Sequence, residues 1–371
     1  MKVPLSLYIH FPWCVKKCPY CDFNSHVSNG EIPQQEYIDA LIFDLQQEMI
    51  RYDGREIQSI FMGGGTPSLF EPHALSNLIQ RLKLELNFAP DIEITLEANP
   101  GTTDFEKFSG YHSAGINRLS IGVQSFNTAH LSQLGRIHSS HDALNAFQAA
   151  RNAGFTNINI DLMHGLSQQS IEGALSDIKQ AMDLNPTHIS WYQLTIEPNT
   201  QFYNQPPVLP EDDILWSIYE TGLKVLAEKG FERYEVSAFS RPEKQSRHNV
   251  NYWLFGDYLG IGAGAHGKIT NQEKVERTQR TRVPKHYLNK QSVKSVILSD
   301  EDLTLEFLMN ALRLKSGFPL KIFEERTGLN EEVLKPFLER GLSAKLLEVG
   351  KHQISPNARG LQFLDELLLL V

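Results

Sequence analysis

The chain has 371 residues, 41% of them hydrophobic and 21% charged, with a formal net charge of −9. That length predicts one large domain and at least one smaller one, and the composition excludes a disordered or fibrous chain. The acidic balance argues against a broad nucleic-acid surface, which needs clustered Lys and Arg, and no apolar run reaches the about 20 residues of a membrane span.

The N-terminal MKVPLSLYIHFPWC has its apolar stretch broken by His10 and Pro12, so it lacks the h-region and cleavage site of a signal peptide, and a cytoplasmic protein is expected. Short apolar runs rich in Ile, Leu, Val and Tyr then begin at Leu5, Ile57, Ile92, Arg118, Ile158 and His188. Each reads as a buried parallel strand. Helical patterns lie between them: Tyr37, Leu41, Ile42, Leu45 and Met49 share one face, and similar patterns follow Pro72, Thr103, Ser139, Ser170 and Glu211. Six alternations within residues 1–235 predict an α/β architecture with a parallel sheet and helices outside. A partial (β/α)6 barrel of the TIM type and an open doubly wound sheet both satisfy the pattern, and both place function at the carboxyl ends of the strands.

The alternation ends after Phe231. From Phe231 the strand-like FERYEVSAF leads into residues 236–300, which pass through the polar SRPEKQSRHN to the Gly-rich YLGIGAGAHG and are expected as a second layer over the barrel mouth. Residues 301–371 read as a small C-terminal helical domain with turn glycines at Gly317, Gly328 and Gly341. Its acids Glu301, Asp302, Glu306, Glu324, Glu325, Glu331 and Glu332 argue against nucleic acid as a partner. The terminal LDELLLLV is expected to pack on the core, contact with a membrane-bound partner being the other reading.

All three cysteines fall in Cys14-Val-Lys-Lys-Cys18-Pro-Tyr-Cys21, in the loop straight after the first strand. An odd, clustered set is a poor disulfide framework and a good metal site. Three thiolates on a loop hold a cubane cluster with one open iron, or a zinc ion with His10 or His26 as the fourth ligand. Gly63-Gly64-Gly65-Thr66-Pro67 follows the second strand, where glycines let a backbone approach a ligand. Glu97, Gln124, Arg136 and Asp161 stand at or near later strand ends. Any one of them reads alone as the satisfied partner of a buried backbone group, but together they favour a polar ligand in the barrel. Gly262-Ala-Gly264-Ala-His-Gly267 fits GxGxxG, yet no βαβ unit surrounds it, so it reads as a tight turn lining a cavity.

The CxxxCxxC spacing resembles that of the radical S-adenosylmethionine superfamily, and the chain as a whole is similar to it. The resemblance implies a [4Fe-4S] cluster on Cys14, Cys18 and Cys21, whose free iron takes the amino and carboxylate groups of S-adenosyl-L-methionine. It carries over Gly64, Gly65, Thr66, Glu97, Gln124, Arg136 and Asp161 as cosubstrate contacts, with Tyr8, Tyr20 and Thr195 beside them. The carboxylates would suit ribose or amine groups, and Arg136 the cosubstrate's carboxylate. YIHFPWCVKKCPYCDFNSH, GGGTPS, GVQSFN, DLMHGL and RHNVNYW narrow the resemblance to the group containing oxygen-independent coproporphyrinogen III oxidase, and within it to a branch of haem chaperones. The oxidase pattern carries another cysteine two positions after the third ligand, where this chain has Phe23, which argues against porphyrinogen decarboxylation. The segment from His248 to Trp253 resembles the HNxxYW motif of the chaperone branch, implying His248 as a haem ligand among aromatic rings. The implied function is a chaperone that binds haem and hands it to acceptor haemoproteins, membrane-bound ones included, with a homodimer as a compatible state. Oxidative decarboxylation of coproporphyrinogen III and a zinc-stabilised interaction module are the competing expectations.

Overall fold

The computed structural model describes residues 3–28, 30–271, 274–289 and 292–371. The apolar runs fold as strands β1 (Leu5–Phe11), β2 (Ile57–Gly64), β3 (Phe88–Ala98), β4 (Arg118–Gln124), β5 (Asn157–His164) and β6 (His188–Gln193). They pair in sequence order, parallel throughout. Parallel pairing of neighbours requires a crossover after each strand, and helices supply it: α1 (Gln34–Glu48), α2 (Pro72–Glu85), α3 (Phe105–Ser113), α4 (Ser140–Asn152) and α5 (Ile171–Asp183). A sixth, α6 (Asp212–Glu228), follows β6. Their starts are set locally. Asp104, Ser139 and Ser170 accept backbone amides at the N-termini of α3, α4 and α5, and Ser139 with Asp142 makes a capping box. The main core lies between helices and sheet, with Leu5, Leu7, Ile9, Tyr37, Leu41, Ile60, Leu96, Leu119, Ile121, Ile160 and Ile189 all buried.

Residues expected to cover the barrel mouth instead extend the sheet at both edges. β7 (Glu232–Arg233) and β8 (Ala238–Ser240) add antiparallel strands beside β6. The chain then forms the short helix α7 (Arg247–Trp253) and returns as β9 (Asp257–Ile261), parallel to β1 on its other side. β10 (His266–Asn271), β11 (Lys274–Arg280) and β12 (Val293–Ile297) continue antiparallel. The sheet therefore holds 12 strands in the order β12-β11-β10-β9-β1-β2-β3-β4-β5-β6-β8-β7. An unpaired β1 edge would leave backbone donors and acceptors bare under the helices, and β9 satisfies them.

A second core, built on Phe255, Phe307, Phe318, Phe323, Leu334, Phe337 and Leu367, carries the C-terminal region with α8 (Asp300–Ala311), α9 (Leu320–Thr327) and α10 (Lys335–Ser343). The sequence predicts helices alone here, but Phe318–Pro319, Leu347–Val349 and Gln353–Pro356 add a small antiparallel sheet. Strands of two to four residues are too short to show an alternating pattern. Most of the terminal leucines pack inward, Leu367 fully buried and Leu364, Leu368 and Leu370 against the same core, while Leu369 is exposed. Among the described residues no helix is long and apolar enough to cross a membrane.

Asp257, at the start of β9, is fully buried and receives Lys268 Nζ at 2.8 Å, Arg55 Nη1 at 2.9 Å and Thr270 Oγ1 at 2.8 Å. Asp257→Ala would leave buried Lys268 without its carboxylate and Arg55 with only the exposed Asp53, so equilibrium urea unfolding is expected to show a loss of about 3–5 kcal/mol. An unchanged midpoint would mean that this network does not hold β9 in the sheet.

Candidate cluster and cosubstrate site

β1 runs directly into the cysteine loop, and the loop is fixed through its backbone. Trp13–Cys14 pairs in parallel with His26–Val27. The amides of His26 and Ser28 donate to Pro12 O at 2.7 Å and Cys14 O at 2.9 Å, closing the loop at its base. The glycine turn after β2 grips the same stretch from beside it, Gly65 N donating to Phe11 O and Thr66 N to Trp13 O, both at 2.7 Å. This approach needs glycine. Gly64 has φ +109°, and a Cβ there would stand 2.3 Å from the His10 ring. One on Gly65 would stand 2.6 Å from Trp13 O.

Each thiol has a polar neighbour. Thr66 Oγ1 donates to Cys14 Sγ at 3.4 Å, Arg136 Nη1 lies 3.8 Å from Cys18 Sγ, and Ser25 Oγ lies 3.8 Å from Cys21 Sγ. Burial pushes the Cys14 and Cys21 thiols up when no metal is bound, and all three cysteines are half-buried. The alternative zinc ligands are otherwise engaged. His10 Nδ1 meets the Tyr8 hydroxyl at 3.0 Å and its Nε2 meets Asn24 O at 2.9 Å, and burial holds its imidazole down at about 4. His26 Nε2 lies 3.3 Å from Asn24 Oδ1. Three thiols with no fourth protein donor fit a cluster that keeps one corner open.

Behind the loop is a polar hollow. Glu97, at the end of β3, accepts Gly64 N on Oε2 at 3.0 Å. Desolvation, with the nearby Asp161 carboxylate adding to it, pushes the Glu97 carboxyl up to about 8. Asp161, on β5, accepts Ser120 Oγ at 3.0 Å and Asn159 Nδ2 at 2.8 Å, and burial raises it too. Both lie deep among the strands yet keep part of their surface accessible, which places them on the wall of an internal space. Gln124 ends β4 with φ +70°, a strained value outside glycine, and its Oε1 accepts the Tyr192 hydroxyl at 2.6 Å. Arg136 donates from Nη2 to Gly122 O at 2.7 Å, while its buried Nε has no partner. Tyr20 stacks near Phe202, with its hydroxyl raised mainly by burial. Cys18, Thr66, Asn99, Gly135 and Arg136 line a crevice beside the loop. Tyr8 stays close through His10, whereas Thr195 sits exposed two residues past β6 and is not drawn in.

His248 is elsewhere. Ser246 caps α7, Glu93 of β3 accepts the Arg247 amide at 3.0 Å, and the helix seats His248 inside the barrel at 1% exposure. Its Nδ1 lies 3.0 Å from Ser59 Oγ, its ring stacks on Phe61 with centroids 5.1 Å apart, and Tyr252 stands edge-on at 4.6 Å. Burial holds its imidazole down at about 3, and Nε2 is buried without a partner.

The sequence signature of the Radical SAM superfamily matches residues 8–178, and that of the HemN C-terminal domain matches residues 298–363. The chain is 47% identical over 369 residues to the Heme chaperone HemW of Escherichia coli (strain K12), covering 99% of this chain and 98% of that one. The chain belongs to the HemW family of radical SAM proteins. A second relative, the Heme chaperone HemW of Bacillus subtilis (strain 168), is 35% identical over 353 residues, covering 91% of this chain and 92% of its own. The solved structure of coproporphyrinogen III oxidase (HemN) from Escherichia coli, a radical SAM enzyme, superposes with a TM-score of 0.83 over 100% of this chain and 90% of that one. Its 24% sequence identity makes this a likeness of fold.

Against this HemW frame, sequence reasoning missed the groups that hold the ligand-facing residues in place. Tyr37 donates to His10 O at 2.6 Å, Asn24 Nδ2 donates to Ala263 O at 2.8 Å, and Tyr192 orients Gln124. Only Asn24, inside the cysteine segment itself, carried a positional hint. The turn from Gly262 to Ala265, expected to line a cavity, instead packs behind the loop, where a Cβ on Gly264 would meet Asn24 Nδ2 at 2.2 Å.

Glu97 gives the site a pH signature. Between its ordinary value of 4.5 and about 8, the folded chain keeps a proton that the unfolded chain has lost, so stability falls as pH rises through that window. Thermal melting of cluster-free protein from about pH 5 to about pH 8 is expected to show a steeper decline for wild type than for Glu97→Gln. Parallel curves would show that Glu97 titrates normally.

Proposed function

We propose that this chain is a haem chaperone of the cytoplasm that carries a [4Fe-4S] cluster on Cys14, Cys18 and Cys21, binds S-adenosyl-L-methionine beside it, and passes haem to acceptor haemoproteins. The observation that carries the reading is full-length kinship with haem chaperones, together with RHNVNYW folded as one helix against the barrel interior. The competing decarboxylase reading meets Phe23, which stands 58% exposed where the oxidase pattern has a further cysteine.

Held by Cys14, Cys18 and Cys21, a [4Fe-4S] cluster would supply one-electron reducing chemistry toward the cosubstrate once charged by an external electron donor. The chain's own residues do the holding. Arg136, with its unpartnered Nε, suits the cosubstrate's carboxylate. Glu97 and Asp161 face the hollow with no cation among their hydrogen-bond partners and suit its amine and ribose groups. Gly64, Gly65 and Thr66 offer backbone carbonyls at close range, Gln124 adds an amide, and Tyr8 and Tyr20 form the outer contacts, with Thr195 standing exposed apart from them.

For haem, His248 is the proposed iron ligand. Its Nε2 has no partner even in the docked helix, so no hydrogen bond to that nitrogen has to be broken for it to take a metal. With α7 docked, Tyr8, Phe61 and Tyr252 close around the ring, so ligation goes with withdrawal of α7 from the barrel. Anaerobically reconstituted protein is expected to bind haem, His248→Ala to weaken it about tenfold and shift the Soret band with cluster absorption intact, and Cys18→Ala to lose the cluster absorption. Unchanged haem affinity and transfer in both variants would overturn the site assignment.

A further inference from the structure

Building on the haem-chaperone reading, we propose that the cleft on the outer face of α7 is a carboxylate-recognising site that holds the propionate edge of haem, with Arg326 as its reading cation. The cleft has a volume of about 530 Å³. Pro4 before β1, Gln58 at the start of β2, Val250 of α7 and Leu254 just past its end line it together with Arg247 and Arg326. These positions lie at the amino ends of the strands, opposite the cysteine loop.

Arg326 is the feature that demands a ligand. It sits on α9 at 7% exposure, and its Nε is buried without a partner. Among the described residues no hydrogen bond or ion pair reaches its guanidinium. Of the carboxylates that influence it, the neighbouring Glu325 is paired with Lys321 at 3.0 Å, and the buried Asp257 is taken by Lys268 at 2.8 Å and Arg55 at 2.9 Å. A largely buried, planar, always-charged fork without a counterion is costly unless an anion completes it, and a carboxylate is the planar partner that fits two of its donors at once. The second cation, Arg247, is held only by Asp91, at side-chain exposures of 49% and 70%, so it is free to exchange partners. Glu243, the acid of the cleft, is exposed.

The remaining wall selects among anions. Val250, Leu254 and Pro4 offer apolar surface that a small inorganic ion would leave wet, whereas a flat apolar ring system carrying carboxylates on one edge covers it. α7 thus presents two faces: His248 and Tyr252 toward the barrel, Val250 toward the cleft. Haem seated by its propionates would lie against the back of the helix that carries His248.

The test is an equilibrium haem titration of full-length, anaerobically reconstituted protein. Arg326→Gln is expected to raise the haem Kd about tenfold, and Arg326→Lys less, with the absorption spectrum of bound haem unchanged, unlike that of His248→Ala. Val250→Trp, which fills the cleft while keeping Arg326, is expected to weaken binding as well, so a folding defect in the arginine variants does not spoil the test. Haem dimethyl ester, lacking both carboxylates, should bind wild type as weakly as haem binds Arg326→Gln. Wild-type affinity in both Arg326→Gln and Val250→Trp, or equal binding of haem and its diester, overturns the cleft assignment and leaves the chaperone reading standing. Failure of wild type to bind haem at all overturns the chaperone reading, and the cleft assignment with it.

Discussion

The fixing of one irregular stretch of backbone, from Phe11 to Cys14, underlies the rest of the site. An open loop pays about 1–2 kcal/mol of conformational entropy for each residue it orders, so three thiols cannot be held in place by their own side chains alone. Here Phe11 O and Trp13 O each accept an amide from the glycine turn, and His10 O accepts the Tyr37 hydroxyl from α1. The loop inherits the rigidity of the sheet because its carbonyls are used as though the strand continued. This explains why the glycine turn after β2 matters beyond any contact with a ligand: side chains at Gly64 or Gly65 would push it off the backbone it clamps.

The same economy appears behind the loop. The glycines at Gly262 and Gly264 form a turn whose backbone lies against His10 O and Asn24, so the segment after β9 buttresses the cysteine loop from the side opposite the Gly64 turn. A sequence pattern that reads as a nucleotide fingerprint is therefore a packing device. What makes it so is context: the preceding strand pairs with β1, and a β-turn followed by an antiparallel strand stands where a helix would have to begin.

The interior beyond the loop is polar but close to neutral. Glu97 and Asp161 are pushed toward their protonated forms by burial, Glu97 also by the Asp161 charge, and His10 and His248 are held unprotonated. Charge is thus left for a ligand to bring, which suits a zwitterionic cosubstrate facing Arg136 on one side and carboxyl groups on the other. α7 separates this hollow from the cleft below, where a lone guanidinium reverses the demand and calls for an anion. One short helix, with His248 and Tyr252 on one face and Val250 on the other, lies between the two environments.

The six parallel strands and their crossover helices were legible because each is a local pattern: an apolar run of strand length, then an apolar stripe at helical spacing, with Ser or Asp at the helix start. The cysteine loop was legible for the same reason, since its three sulfurs lie within eight consecutive residues. Other features depend on residues far apart in the chain, and no periodicity records them. Asn24 meets Ala263 across 239 positions, Tyr192 meets Gln124 across 68, and Arg326 lines a cleft with Pro4 and Val250. The direction in which His248 faces and the placing of residues 236–300 at the sheet edges also needed the folded chain, because burial and edge pairing are properties of what packs alongside, which a single segment does not encode.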